Sequence, residues 1–183
     1  MKNHNLNRFA LLFILCFTVL TSYSSPFILT SPSKKLSVQI SILHDRIFYE
    51  ATFNGEKILD PSTLGMVFQN GDSLVRFNLL KTETQSIKES WKTVWGQFDS
   101  IQNNYNELKL FLTDKSKNRP LNIIFRAYDD GFAYRYEYPD NSKSITIMSE
   151  LSEFAFAQNN SCWWIWADYN TLEKLYQKTK ISE

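Results

Sequence analysis

Alternation of apolar and polar residues, repeated in short runs, is the feature of this sequence that leaves the fewest folds open. Residues 36–42 read Leu-Ser-Val-Gln-Ile-Ser-Ile, and residues 105–113 follow a similar two-residue period. Successive side chains of a β-strand point to opposite faces, so such runs predict half-buried strands. Many short strands without intervening helices predict an all-β, antiparallel sandwich or barrel.

Turn residues divide these runs. Asn54-Gly55 separates residues 47–53 from residues 56–59 and predicts a type I′ hairpin, which needs positive φ at both central residues. The sequence Asp-Asp-Gly at 129–131 predicts a second tight hairpin. Further strands are predicted in the following segments: 64–68, 121–128, 132–138, 145–148 and 154–156.

Three other segments interrupt the alternating pattern. Asp-Pro-Ser at 60–62 predicts a break, and the polar residues 81–90 fit either a long exposed strand or a loop. Residues 171–180 predict one short helical stretch near the C-terminus, since apolar side chains there recur at i, i+3 and i+4. No linker or repeat divides residues 26–183, so we expect one domain.

The N-terminus has the composition of a secretory signal peptide. Lys2 and Arg8 precede the apolar run 9–20, and residues 21–25 are small and polar apart from Tyr23. The apolar run is too short for a stable membrane anchor. We therefore expect residues 1–25 to be removed and the product to be periplasmic or secreted, with an uncleaved anchor or a lipid on Cys16 as the alternatives.

Composition excludes several kinds of site. The formal net charge is +1, and removing Lys2 and Arg8 leaves −1, so no electrostatic capture of nucleic acid is expected. Beyond residue 25 the chain holds one cysteine, Cys162, and one histidine, His44. An internal disulfide and a Cys/His zinc site are therefore excluded, and His44 is expected to be solvated or packed.

Residues 161–173 carry the densest group of candidate functional side chains. If 163–166 is a strand, Trp164 and Trp166 share a face that could stack on a sugar ring, although one face must be core. Asp168, Asn170 and Glu173 then supply oxygen ligands, but their spacing is not that of an EF-hand. The sequence predicts sugar contacts at Trp164, Trp166 and Asp168.

Two acidic pairs elsewhere favour structural roles. Asp129 and Asp130 are neighbours in a turn, whereas glycosidase carboxyl groups face each other across the substrate. Glu150 and Glu153 lie between two predicted strands and are interpreted as a solvated turn.

Seven segments, in order, resemble the N-terminal domain of glycoside hydrolase family 97. They are SP at 31–32, PSTLG at 61–65, WKTVWG at 91–96, NYNEL at 104–108, FRAYDDGFAYRYEYP at 125–139, WIWADYNTLE at 164–173 and TKISE at 179–183. One departure concerns Trp166-Ala167, which stand where the family usually has Pro-Gly.

The resemblance implies a super-sandwich of the galactose-mutarotase-like type, followed in the family by a catalytic (β/α)₈ barrel. Family members are exo-acting α-glucosidases or α-galactosidases that hold calcium in the active site. The glutamate that their N-terminal domain gives to this calcium corresponds to Glu173. The implied partners are an α-linked oligosaccharide and a catalytic barrel, and no catalytic residue is expected within this chain.

Three functional readings follow from the sequence. The chain is either the part of such a hydrolase that completes its active site, a free-standing carbohydrate-binding module, or a non-functional truncation product. Residues 181–183 directly follow the predicted helix with no polar tail, as expected of a truncated gene or a fragment. The resemblance implies that the chain is inactive by itself, because the family's catalytic residues belong to the barrel.

Overall fold

A computed structural model of the protein describes residues 25–139, 145–170 and 173–183. Residues 1–24 of the predicted signal peptide lie outside these ranges. Within them, no helix is long and apolar enough to cross a membrane. The described residues form these strands: β1 (Phe27–Thr30), β2 (Leu36–Leu43), β3 (Arg46–Phe53), β4 (Glu56–Thr63), β5 (Met66–Phe68), β6 (Ser73–Leu74), β7 (Phe77–Lys92), β8 (Ser100–Asp114), β9 (Pro120–Ala127), β10 (Phe132–Glu137), β11 (Ile147–Glu150), β12 (Ser161–Trp164) and β13 (Gln177–Lys180).

The first sheet is an antiparallel meander in the order β1-β2-β3-β4. The predicted turn at Asn54-Gly55 is confirmed, with φ of 51° and 84°. A second turn of the same kind, at His44-Asp45, has φ of 50° and 68°. Both turns match the right-handed twist of the strands they join. His44 is exposed in its turn, as the solvated interpretation expects.

The second sheet has the order β10-β9-β8-β7 and is also antiparallel. Residues 81–90 are strand rather than loop, because they belong to β7 and pair along their whole length with β8. The hairpin at residues 129–131 joins β9 to β10, and Ala127 lies opposite Phe132. Smaller sheets, β11-β5-β6 and β12-β13, complete the described architecture.

The two four-stranded sheets share one hydrophobic core, which makes this part of the chain a β-sandwich. Burial alternates along β2 of the first sheet and along most of β8 of the second, whereas β9 is buried almost continuously from Leu121 to Phe125. The buried side chains that meet there include Val38, Ile40, Ile47, Tyr49, Leu110, Leu112, Ile123 and Phe125. The two-residue period of the sequence is thus the period of core burial.

Tyr49 of β3 is the aromatic centre of this core. Its ring is fully buried and lies 6.0 Å from Phe125, 5.5 Å from Tyr134 and 6.0 Å from Phe132, measured between centroids. Its hydroxyl donates to the backbone carbonyl of Glu153. Burial raises the pKa of Tyr49 well above its ordinary value, so the phenol stays a neutral donor.

Residues 151–157 run along β4 and cover much of its free edge. Backbone amides donate from Glu153 to Thr63 and from Asp60 to Ala155, at 3.0 and 2.8 Å. The predicted strand at 154–156 is only an isolated bridge between Leu59 and Phe156. The predicted break at 60–62 is a shift in register and not the end of a strand: β4 continues to Thr63, and its pairing with β3 shifts between Ala51↔Leu59 and Tyr49↔Ser62.

The helix predicted at 171–180 is wrong over its described part, whereas residues 171 and 172 lie outside the described ranges. Gln177–Lys180 is strand β13, and it pairs with β12 in the register Ser161↔Lys180 to Trp164↔Gln177. An amphipathic helix requires a surface on which to bury its apolar side. Leu175 and Tyr176 find none, being 83% and 68% exposed, so pairing with β12 decides the conformation.

Replacing Tyr49 tests how much the aromatic centre contributes. Tyr49→Ala removes a buried ring and should lower the free energy of unfolding by about 3–5 kcal/mol. Tyr49→Phe loses only the hydroxyl contact and should cost about 1 kcal/mol. Urea denaturation of residues 26–183 measures both, with the fully exposed Tyr169→Ala as control. Equal losses of unfolding free energy in the two variants would show that the hydroxyl contact, and not the packing of the ring, is the main contribution of Tyr49.

Candidate functional site

The candidate site lies at the end of β12, where two indole rings meet. The Trp164 and Trp166 rings are 4.9 Å apart between centroids and inclined at 69°, an edge-to-face contact. Strand β12 ends at Trp164, so Trp166 follows the strand instead of continuing it. Trp164 is half-buried, whereas Trp166 is 60% exposed. Trp166 therefore exposes part of its ring to solvent, and the half-buried ring of Trp164 packs against it.

Strand β13 holds Trp164 in place. The indole Nε1 of Trp164 donates to the hydroxyl of Thr179 at 3.1 Å. Cys162, half-buried and unbridged, places its Sγ 3.9 Å from the same hydroxyl. On the other face of β12, the Lys178 ammonium lies 5.5 Å from the Trp163 ring centroid. The β12-β13 pairing thus orients the aromatic surface that the sequence predicted.

The polar candidates lie just beyond the tryptophans. Asp168 forms an ion pair with Lys174 at 3.5 Å, and one of its oxygens accepts the Asn170 amide at 3.2 Å. Glu173 is exposed. Across the described ranges, no group of three or more His, Cys, Asp or Glu side chains could hold a metal ion.

Calcium normally takes six to eight oxygen ligands, so the described residues do not form a complete calcium site. An exposed carboxylate such as Glu173 suits the role of one ligand in a shared shell. The donor chemistry of Glu173 therefore fits one ligand of a calcium shell, to which other oxygens would have to be added.

The region after β10 exposes an unusual amount of apolar surface. Its side chains that are more than half exposed are Ile147, Met148, Phe154, Phe156, Trp163, Trp166, Tyr169, Leu175 and Tyr176. So many exposed apolar side chains in one stretch of the chain are typical of a region that contacts another protein surface or a ligand. We call residues 147–176, within the described ranges, the C-terminal apolar surface.

Both acidic pairs contribute to structure. Asp129 accepts the Ser33 backbone amide at 2.8 Å, and this bond lowers the pKa of its carboxyl. One Glu153 oxygen accepts the Thr63 hydroxyl at 2.6 Å and the Thr63 amide at 2.9 Å. Glu153 was interpreted as part of a solvated turn; it is exposed, but its carboxylate ties residues 151–157 to β4.

Sequence reasoning also missed a cluster of exposed aromatic residues at the β7-β8 turn. Trp91 and Trp95 are 50% and 88% exposed there, and Phe98 is 64% exposed. The sequence does carry a signal for this cluster, namely two tryptophans and a glycine within six residues at the end of a polar strand. Motif reasoning used residues 91–96 only as a mark of resemblance.

Comparison with known proteins gives a match to a family. The family model described as Glycosyl-hydrolase 97 N-terminal matches residues 29–183. A retaining alpha-galactosidase of Bacteroides thetaiotaomicron is 33% identical over 149 residues, which are 81% of this chain and 21% of that protein. A probable retaining alpha-galactosidase of Streptomyces bingchenggensis is 24% identical over 76% of this chain and 21% of its own length.

Solved structures agree in fold. A glycoside hydrolase family 97 enzyme from Pseudoalteromonas sp. strain K8, in complex with panose, superposes with a TM-score of 0.74 and 26% identity. The match covers 84% of this chain and 24% of that enzyme, and the same enzyme is also known in complex with acarbose. The chain therefore spans only a fifth to a quarter of the length of these relatives.

The Glu153 contact predicts a pH effect. Hydrogen bonds from the Thr63 hydroxyl and amide hold the pKa of Glu153 below its ordinary 4.5. A lowered pKa contributes stability that is complete above 4.5 and is lost as the pH falls through the folded-state value. We expect the midpoint of thermal unfolding to fall less between about pH 6 and about pH 3 in Glu153→Gln than in the wild type.

Glu56→Gln, at an exposed position beside the Asn54-Gly55 turn, is the matched control. It should follow the wild-type pH profile. A Glu153→Gln profile that is parallel to the wild type would show that the Thr63 contact contributes nothing to acid sensitivity.

Proposed function

Because this chain belongs to the glycosyl-hydrolase 97 N-terminal family, we propose that it is the non-catalytic domain that completes the active site of an exo-acting α-glycosidase. One observation carries the proposal: the family match covers residues 29–183 but only about a fifth of the related α-galactosidases. The catalytic part belongs to the remaining four-fifths of such proteins. The C-terminal apolar surface supplies a face that such a part can cover.

The substrate we propose is an α-linked oligosaccharide. The related Pseudoalteromonas enzyme is known in complex with panose and with acarbose. Trp166 offers the exposed ring on which a sugar can stack, Trp164 supports it, and Asp168 offers carboxylate oxygens for sugar hydroxyls. In this proposal these three side chains form one wall of a pocket whose other walls come from the catalytic barrel.

Glu173 is the residue we propose as a calcium ligand. A bound calcium ion supplies positive charge that orients and polarises oxygen atoms of the sugar or of water. Glu173 would contribute one carboxylate to that ion, and its exposure leaves it accessible to ligands from the barrel. Trp166-Ala167 stand where the family usually has Pro-Gly, and they lack the glycine that permits a tight backbone path before this residue.

Catalysis itself is proposed to lie outside this chain. Glycoside hydrolysis by the common mechanisms needs two carboxyl groups on either side of the scissile bond. Asp129 is engaged with Ser33, and Glu153 with Thr63, which removes both as free members of such a pair.

We further propose that residues 1–25 form a signal peptide and that the protein is periplasmic or secreted. The sandwich is proposed to be a super-sandwich of the galactose-mutarotase-like type.

A free-standing carbohydrate-binding module is the second candidate, favoured by the exposed rings of Trp163 and Trp166. Calorimetric titration of residues 26–183 with panose distinguishes the two. Completion of a shared pocket predicts no measurable binding to the isolated domain and no turnover of p-nitrophenyl α-galactoside or α-glucoside. Millimolar or tighter binding that is lost in Trp166→Ala, but kept in Ile28→Ala on β1, would favour the module.

The calcium proposal is tested by reconstitution. The domain is combined with the Bacteroides thetaiotaomicron retaining alpha-galactosidase lacking its matching N-terminal fifth, and calcium binding is measured by calorimetry. Glu173→Gln should weaken calcium binding by about tenfold or more, because it removes an anionic ligand from the shell. Glu183→Gln, also exposed, is the control and should leave binding unchanged. Equal affinities for wild type and Glu173→Gln would remove Glu173 from the site.

A further inference from the structure

The β7-β8 hairpin extends well beyond the sandwich. Strand β9 pairs with β8 only from Asn106 to Thr113, so residues 100–105 pair solely with residues 87–92 in the part of the chain that is described. At about 3.3 Å per residue, this two-stranded ribbon reaches roughly 20 Å past the sheet. A ribbon of this length has no second layer to bury its tip.

The tip is apolar although it lies in solvent. Val94 is 97% exposed and Trp95 is 88% exposed, with Phe98 at 64% and Trp91 at 50%. Single exposed apolar side chains are ordinary, but four within eight residues form a patch of the kind that marks a contact surface. We call Trp91, Val94, Trp95 and Phe98 the hairpin tip.

The local structure holds the tip in shape. The Thr93 amide donates to the Asp99 carbonyl at 3.2 Å, and the Thr93 hydroxyl donates to the Phe98 carbonyl. Gly96 adopts a φ of 129°, which other residues rarely take. At the base of the ribbon, Tyr105 packs 5.1 Å from Tyr128 between ring centroids. Because these contacts already order the tip, binding costs less conformational entropy.

Apart from the half-buried Ile87 and Ile101 and the buried Tyr105, the rest of the ribbon is polar, so its exposed apolar side chains are confined to the tip. Outward side chains of β7 include Lys88, Glu89 and Lys92, and charged edges discourage sheet-to-sheet pairing. Residues 93–98 carry no charge, and Asp99 is the single charged residue of the turn. An apolar depression on a protein surface therefore suits the tip better than a sugar, which needs polar groups beside the ring.

The share of the related proteins that this chain covers leaves room for a large neighbouring part. The matched region is 21% of the related α-galactosidases and 24% of the Pseudoalteromonas enzyme, so the domain accompanies a catalytic part about three times its size or larger. A ribbon of roughly 20 Å can lie across a neighbouring domain of that size. A contact there would be separate along the chain from the C-terminal apolar surface.

We propose that the hairpin tip docks into an apolar depression on the catalytic part of the same glycosidase and acts as a second anchor between the two parts. This inference rests on the proposed function, since it requires that a catalytic part is present. It adds a site of contact that neither the sugar wall nor the calcium ligand includes.

The test measures binding of residues 26–183 to the Bacteroides thetaiotaomicron retaining alpha-galactosidase lacking its matching N-terminal fifth. The double variant Trp95→Ala/Phe98→Ala should bind at least about tenfold more weakly, because exposed aromatics at a contact are typical hot spots. Ile28→Ala, which removes a 66% exposed side chain on β1, is the control and should bind as the wild type does. Circular dichroism melting should show an unchanged fold in both variants, and Trp95 should be protected from oxidative footprinting in the wild-type complex.

Each outcome decides a separate point. Wild-type binding that survives the double substitution, with Trp95 still reactive, would overturn the tip contact and leave the proposed function standing. No binding by the wild type would overturn the proposed function and the tip contact together. A concentration-dependent dimer of the isolated domain that is lost in the double variant would assign the tip to self-association instead.

Discussion

The contact between the two four-stranded sheets is the constraint on which the rest of the structure depends. Tyr49 on β3 meets Phe125 and Tyr134 from the opposite sheet, and its hydroxyl reaches the chain beyond β11 at Glu153. A fully buried phenol must be both packed and hydrogen-bonded, since an unsatisfied hydroxyl in the core is costly. One residue thus links the sandwich to the segment that leads toward the candidate site.

The burial of apolar side chains changes at that segment. Up to β10 most large apolar side chains are buried, apart from Ile28, Leu80 and the hairpin tip, whereas beyond β10 most of them are exposed. Tyr136 marks the boundary: its hydroxyl contacts Ser152 and the Gly65 amide at 3.1 Å, and burial raises its pKa to about 12. The stable sandwich therefore carries a surface that its own core cannot cover. This arrangement agrees with the proposed role as a domain that completes the active site of a larger protein.

The candidate site was only partly predictable. The spacing of Trp164 and Trp166 predicted that the two side chains share one strand face. Their rings do meet edge to face, but β12 ends at Trp164, so Trp166 makes this contact from beyond the strand. The acceptor that orients Trp164, the hydroxyl of Thr179, lies on a segment predicted to be helical, so sequence reasoning could not find it. Glu173 was singled out by resemblance alone, and no local geometry in the described residues distinguishes it from other exposed acids.

By itself, the sequence determined the all-β class, the turn at Asn54-Gly55 and the alternating core positions, because each depends on residues that are close along the chain. Only the tertiary structure decided the polar strand β7, the strand β13 and the attachment of Glu153 to Thr63. In each of these, the deciding partner is distant in sequence or the local pattern suits two conformations. Residues 81–90 became strand because β8 offers a full ladder of hydrogen bonds, and residues 177–180 did so because β12 offers a strand with which they pair.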